Sequence, residues 1–139
     1  MTYGRLKSLT KALLIGDNTL PKDADEVLGL LEYAYHMVSN KAEALHLLTM
    51  NQNEDINRRA VGNWLSRTPS LPTNDDDELD IDKELGFAVA RFIASFVSKN
   101  KPAIHEAEAI KIINDYNSKV HDVLADAVQV TEGEPCVIK

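Results

Sequence analysis

Two apolar stripes of helical period, separated by a few residues, constrain the fold of this chain more than any other feature. The first stripe consists of Leu85, Ala88, Val89, Phe92, Ile93, Phe96 and Val97. The second extends to about residue 127 and consists of Ile104, Ala107, Ile110, Ile113, Val120, Val123 and Leu124. Spacings of three and four residues place each set on one face of an α-helix. Because the connection is short and Pro102 suits a first helical turn, we predict two antiparallel helices packed as a hairpin.

Two further helices are predicted nearer the N-terminus. The first covers residues 3–15, with Thr2 as its N-cap, Gly16 as its stop and an apolar stripe of Tyr3, Leu6, Leu9 and Leu13. The second covers about residues 23–39 and buries Val27, Leu28, Leu31, Ala34, Tyr35 and Val38. Its first turn holds Asp23, Asp25 and Glu26, because the positive end of the helix dipole favours negative charge.

The pattern changes between the second and third helices. Leu45, Leu47 and Thr49 alternate with His46, Leu48 and Met50, as in an extended strand. The turn-forming stretch "NQNED" and a possible return strand over residues 56–65 predict a β-hairpin or extended loop over about 45–72. Pro69 and Pro72 end any regular pairing. A helix that continues through Leu48 is the alternative.

The last residues lack a helical stripe in this interpretation. Alternating valines followed by Gly133 and Pro135 predict an extended tail over residues 128–139. The 139 residues suit a single domain. The fold class is therefore mainly α: a small four-helix bundle over residues 1–127, with the insertion at about 45–72, an acidic loop at 73–84 and the extended C-terminal tail.

Most of the net charge lies just before the third helix. Seven carboxylates and Lys83 give −6 of the net charge of −7, and the carboxylates are Asp75, Asp76, Asp77, Glu78, Asp80, Asp82 and Glu84. We expect Asp80 or Asp82 to cap the third helix and Glu84 to favour its N-terminal end. The three consecutive aspartates 75–77 are expected to be solvated. A calcium loop starting at Asp76 needs Gly at its sixth position and Glu at its twelfth, where this chain has Ile81 and Phe87.

No residue pattern predicts a catalytic, cofactor or metal site. Cys136, the only cysteine, has no basic partner near it in sequence and cannot form an intramolecular disulfide, which fits a reducing cytoplasm. Glycine-rich phosphate loops are absent. Glu32 with His36, and His105 with Glu108, do not form the Glu-x-x-His motif of bundle metal sites, so we expect surface polar residues there. No apolar run reaches the ~20 residues of a membrane span.

Nucleic-acid recognition is weakly supported. The densest basic group is Arg58, Arg59 and Arg67 with Trp64, which is small for a phosphate-binding face. We expect these four residues to form a hairpin interface packed on a neighbour.

Several stretches together resemble a family of tailed-bacteriophage proteins. "MTYGRLKSLTKALL" resembles the openings of small phage proteins, and "RTPSLPTNDDDELDIDKELGFAVARFIASFVS" with "AIKIINDYNSKV" resembles the corresponding part of head–tail adaptors, also called connector or head-completion proteins. The similarity covers residue 2 to about residue 120 and includes no catalytic signature.

The resemblance implies a structural role in the virion neck after assembly in the host cytoplasm. Family members are helical subunits that form a ring, commonly of twelve copies, between the portal protein and a tail or nozzle protein. DNA passes through the ring without specific binding. Under this resemblance the tail residues Val128, Val130, Val137 and Ile138 contact a partner, and Asp75, Asp76, Asp77 and Glu78 line the channel or face outward toward basic partners.

Two other functional classes stay open. One is an intracellular interaction or regulatory protein, associated with DNA through the basic group. The other is an enzyme whose site the sequence does not reveal.

Overall fold

The computed structural model describes residues 1–42 and 69–132, with side chains described up to residue 119. It contains four α-helices: α1 (Tyr3–Leu13), α2 (Ala24–Lys41), α3 (Lys83–Val97) and α4 (Pro102–Glu132). The mainly α class and the four predicted helices are confirmed. The predicted hairpin or loop over about 45–72 falls almost wholly outside the described residues, and residues 69–72, which are described, are irregular.

The first two helices begin and end where local chemistry places their boundaries. Thr2 is the N-cap of α1, and its hydroxyl accepts a hydrogen bond from the Arg5 N–H at 3.2 Å. Asp23 caps α2 in the same way, with the Asp25 N–H donating at 3.0 Å. Gly16 follows α1 with φ +78°, a conformation in which a Cβ would be strained, so it is a fitting stop.

Helix α3 is the centre of the core. Its side chains at Leu85, Val89 and Phe92 are fully buried, and α1, α2 and α4 each pack on it. Within the part of the chain that the structure describes, none of the three outer helices packs on another to a comparable extent. The arrangement is one apolar helix flanked by three amphipathic ones, and the four-helix bundle is not confirmed.

Contacts at the two ends of α3 give the helix directions. Near its start, Tyr116 of α4 reaches Asp82 and Lys119 reaches Glu84. Near its end, Arg91 contacts His105 in the first turns of α4. The α3–α4 pair is therefore antiparallel, as predicted.

The connection between α3 and α4 is held by the loop that follows α1. The Asp17 carboxylate accepts hydrogen bonds from the Ser98 hydroxyl and from the N–H groups of Lys99 (2.9 Å) and Asn100 (3.1 Å). These bonds lower the pKa of Asp17. Asn18 adds a hydrogen bond to the Val97 carbonyl at 2.8 Å. Three elements thus meet at this end of the molecule, and α1 lies parallel to α3.

Helix α4 is longer than the sequence predicts. It continues to Glu132, so the extended tail predicted to begin at residue 128 is wrong for residues 128–132. The alternation of Val128 and Val130 is too short to outweigh helix continuation, because no glycine or proline lies between Pro102 and Gly133. Among the described helices, none combines the length and apolarity required to cross a membrane.

Candidate functional site

The acidic segment, residues 73–84, lies against the start of α1. The Leu79 N–H donates to the Met1 carbonyl, the Tyr3 N–H to the Asp77 carbonyl and the Gly4 N–H to the Asp75 carbonyl, each at 2.9 Å. Thr2 and Glu78 form an antiparallel β-bridge within this pairing. The segment is therefore joined to the N-terminus through its backbone and is not an independent loop.

This pairing satisfies the N-terminal end of α1. Tyr3 and Gly4 are the first two residues of the helix, and their N–H groups have no partner within it. The carbonyls of the acidic segment accept both. The first turn of α1 contains no acidic residue of its own, so the aspartates supply the negative charge that the positive end of its dipole favours.

Gly4 lets the acidic segment approach α1 closely because it has no Cβ. A Cβ at this position would lie 3.2 Å from both the Cβ and the carbonyl oxygen of Asp75. The Asp75 carboxylate pairs with Lys7 Nζ at 2.7 Å, and the same ammonium lies 4.6 Å from the centre of the Tyr3 ring. A backbone hydrogen bond and an ion pair therefore hold Asp75 against α1.

Asp77 holds the shape of the turn at residues 73–77. Its Oδ2 accepts hydrogen bonds from the Thr73 N–H (2.8 Å), the Thr73 hydroxyl (2.8 Å) and the Asn74 N–H (3.0 Å). These donors favour the ionised carboxylate and lower the pKa of Asp77. The side chain predicted to be solvated is thus the centre of a local hydrogen-bond network.

The remaining carboxylates connect the segment to other elements. Asp80 accepts from the Ser70 N–H at 2.7 Å, Glu78 pairs with the Met1 amino group at 2.8 Å, and Glu84 pairs with Lys119 of α4 at 3.2 Å. Glu84 lies in the first turn of α3, as predicted.

The predicted capping of α3 is correct in position and wrong in chemistry. Asp82 is the N-cap residue, but its side chain makes no capping hydrogen bond. The Tyr116 hydroxyl donates to its Oδ2 at 2.6 Å. Burial and the neighbouring carboxylate raise the pKa of Tyr116, so the phenol stays a donor. The Asp82 carboxylate therefore links α3 to α4 and does not cap the N-terminus of α3.

The predicted site residues fall into three groups. Asp75, Asp77 and Glu78 have partners in their own chain, whereas Asp76 is exposed and has no hydrogen-bond or ion-pair partner among residues 1–42 and 69–119. The channel-lining or interface role of these four residues stays a prediction. The backbones of Val128 and Val130 belong to α4. The other predicted contact residues lie outside the described residues: Arg58, Arg59, Trp64, Arg67, Val137 and Ile138.

The predicted surface position of His105 is wrong. His105, expected on the surface, is only 5% exposed, and Arg91 Nη1 lies 3.1 Å from its Nδ1. Burial and the nearby Arg91 charge lower the pKa of His105, which favours the neutral ring. A guanidinium can only donate, so the contact requires Nδ1 to be the acceptor. Its four-residue spacing from the buried Ala109 and Ile113 is the sequence signal that indicates burial.

The acidic segment presents negative charge on a backbone that hydrogen bonds hold in place. No group of three or more His, Cys, Asp or Glu side chains suited to a metal ion occurs in the portions 1–42 and 69–119. Its carboxylates bind N–H donors, a phenol and ammonium groups of the same chain.

Comparison with protein-family models, with curated proteins and with solved structures finds no match.

Proposed function

We propose that this chain is a structural subunit of a tailed-bacteriophage neck: a head–tail adaptor that joins the portal protein to a tail or nozzle protein. Its copies form a ring, commonly of twelve, through which DNA passes without specific binding. One support for this proposal is the resemblance to head–tail adaptors of the quoted stretches between residue 2 and about residue 120. The helical fold and the position of α4 are the second support.

The observation that carries the proposal is the length of α4. Lys119 pairs with Glu84 in the first turn of α3, so residues 120–132 continue past the start of the central helix. Thirteen residues at 1.5 Å per residue extend ~20 Å. In this proposal another subunit binds this part of α4, whose backbone extends beyond the start of α3.

We propose that another subunit binds the apolar residues that come after α4 in the sequence. Val137 and Ile138 stand near the end of the sequence. Burying apolar side chains stabilises an interface by ~25 cal/mol per Å². Strand addition to the edge of a partner's sheet is the mode we propose, with the pairing interrupted at Pro135.

The experiment is reconstitution with the portal. Full-length protein is mixed with portal rings of the same phage, and the complexes are examined by mass photometry and electron microscopy. We expect a ring of the protein on the portal, lost in the double variant Val137→Asp with Ile138→Asp and kept in Lys139→Ala, a matched change in the same stretch. Failure of the wild-type protein to bind the portal, or binding by the double variant as strong as by wild type, contradicts the proposal.

The acidic segment is assigned the channel side in this proposal. Carboxylates repeated around a ring repel phosphates, which lets DNA pass without binding. Asp76 is the residue to change, because Asp75 and Asp77 hold the fold. Asp76→Lys is expected to leave ring assembly intact and to slow DNA exit from assembled particles. Normal DNA exit combined with failed assembly places the residue at an interface with another protein.

A further inference from the structure

A groove between α1 and the start of α2 carries positive charge on an acidic protein. It has a volume of about 460 Å³, and Lys7, Lys11 and Lys22 line it above an apolar floor that includes Leu20 and Leu28. This volume falls within the range of ~300–1,000 Å³ typical of binding pockets. Three lysines and a single carboxylate, Asp75, line the groove, which gives it a local excess of positive charge although the chain has a net charge of −7.

One of the three lysines already has a carboxylate partner. Lys7 pairs with Asp75 at 2.7 Å, so the edge of the groove accepts an aspartate. Lys11 and Lys22 are exposed and have no carboxylate partner within the described portions of the chain. The groove therefore has two ammonium groups available for a second acidic segment.

A carboxylate with no partner among the described residues lies next to the groove. Asp76 follows the groove-lining Asp75 directly and is exposed at the tip of the turn of residues 73–77, which we call the acidic turn. The hydrogen bonds of Asp77 keep that turn in one shape. Leu71, 41% exposed, precedes Pro72, another residue of the groove wall. An acidic tip and an apolar side chain thus border a groove with lysines and an apolar floor.

We propose that the groove receives the acidic turn of a second copy of this chain. In a two-fold symmetric dimer each acidic turn occupies the partner's groove, so both contacts form together. Asp76 then pairs with Lys11 and Lys22 of the other copy, and Leu71 contacts the apolar floor. The contact belongs to the free protein and opens before ring assembly, because the head–tail proposal assigns Asp76 to the channel.

Charge reversal with rescue tests this contact. Full-length protein is studied by sedimentation equilibrium at low and high salt. We expect a reversible dimer that weakens with salt, and a dissociation constant raised about tenfold or more in Lys11→Glu with Lys22→Glu, and likewise in Asp76→Lys. An equimolar mixture of the two variants restores association. In the mixed dimer the reversed groove of one variant meets the reversed turn of the other, and the unchanged groove meets the unchanged turn. Lys111→Glu, an exposed lysine of α4 outside the groove, is the matched control and leaves the dimer unchanged.

Any of three results overturns the proposal. The first is a wild-type protein that stays monomeric at high concentration in low salt. The second is a charge-reversed variant that dimerises as tightly as wild type. The third is a mixture of the two variants that does not restore association. Portal binding is measured separately, so a missing dimer with a normal portal complex rejects this contact alone.

Discussion

Three glycines in helices give a test of how the acidic segment is held, because the same substitution meets different surroundings at each. Gly29 lies on the exposed side of α2, and a Cβ there meets no atom within 4 Å. Gly29→Ala is therefore expected to stabilise the protein by ~0.5–1 kcal/mol, the usual gain for replacing glycine within a helix. In a chain of this size the midpoint of thermal unfolding rises by about 2–5 °C.

At Gly4 the same gain is opposed by a steric conflict. The new Cβ lies 3.2 Å from the Asp75 Cβ and carbonyl oxygen, so the backbone of the acidic segment must move by a few tenths of an ångström. Overpacking of this kind costs ~1–3 kcal/mol, and the Gly4 to Asp75 hydrogen bond lengthens with it. We expect Gly4→Ala to destabilise the protein by ~0.5–2 kcal/mol, opposite in sign to Gly29→Ala.

Gly86 is the intermediate case and completes the series. A Cβ there lies 3.3 Å from the sulfur of Met1, the side chain of a flexible residue that can shift. Its substitution should fall between the other two. Urea unfolding monitored by circular dichroism measures all three free energies, and hydrogen exchange reports on the Tyr3 and Gly4 amides. If Gly4→Ala stabilises as much as Gly29→Ala and the Tyr3 and Gly4 amides of the wild-type protein exchange without protection, the acidic segment does not dock on α1.

Three further results are expected from single substitutions. Tyr116→Phe removes the hydrogen bond to Asp82 and should lower the free energy of unfolding by ~1–3 kcal/mol in urea titrations, with an unchanged value contradicting the α3–α4 link. Burial and Arg91 lower the pKa of His105 below its ordinary value near 6.5, so stability should fall as pH decreases below that value, and His105→Gln should flatten this part of the pH profile. Phe92→Ala empties the centre of the core and should cost ~3–5 kcal/mol, with a loss under ~1 kcal/mol contradicting the central position of α3.

The helices were predictable because their signals are local. Apolar spacing, the caps Thr2 and Asp23 and the stop at Gly16 each act within a few residues, and the structure confirms them. The short connection of α3 to α4 likewise predicted an antiparallel pair. The alternation of Val128 and Val130 does not mark the end of α4, because two valines are a weaker signal than the absence of a helix breaker before Gly133.

The partners of the acidic segment were not predictable, because they lie far away in sequence. Residues 75–79 pair with residues 1–4, and no periodicity connects the two stretches. One hint was available: the first turn of α1 contains no carboxylate, although the dipole of that helix favours one. Gly86 is a similar case, because the side chain closest to it belongs to Met1, which is far away in sequence.

The concentration of charge before α3 follows from the position of the acidic segment between two helix starts. It runs from the N-terminus of α1, where the carbonyls of Asp75 and Asp77 accept N–H groups, to the N-terminus of α3, where Asp82 and Glu84 stand. Negative charge is favoured at both ends by the helix dipoles. Repulsion among the carboxylates is offset by N–H donors, the Tyr116 phenol and ammonium groups of the same chain. Neutralising all the carboxylates of the acidic segment therefore changes both the stability of the fold and the charge of the surface. Substituting Asp76 changes the surface charge alone, because Asp76 has no partner among the described residues.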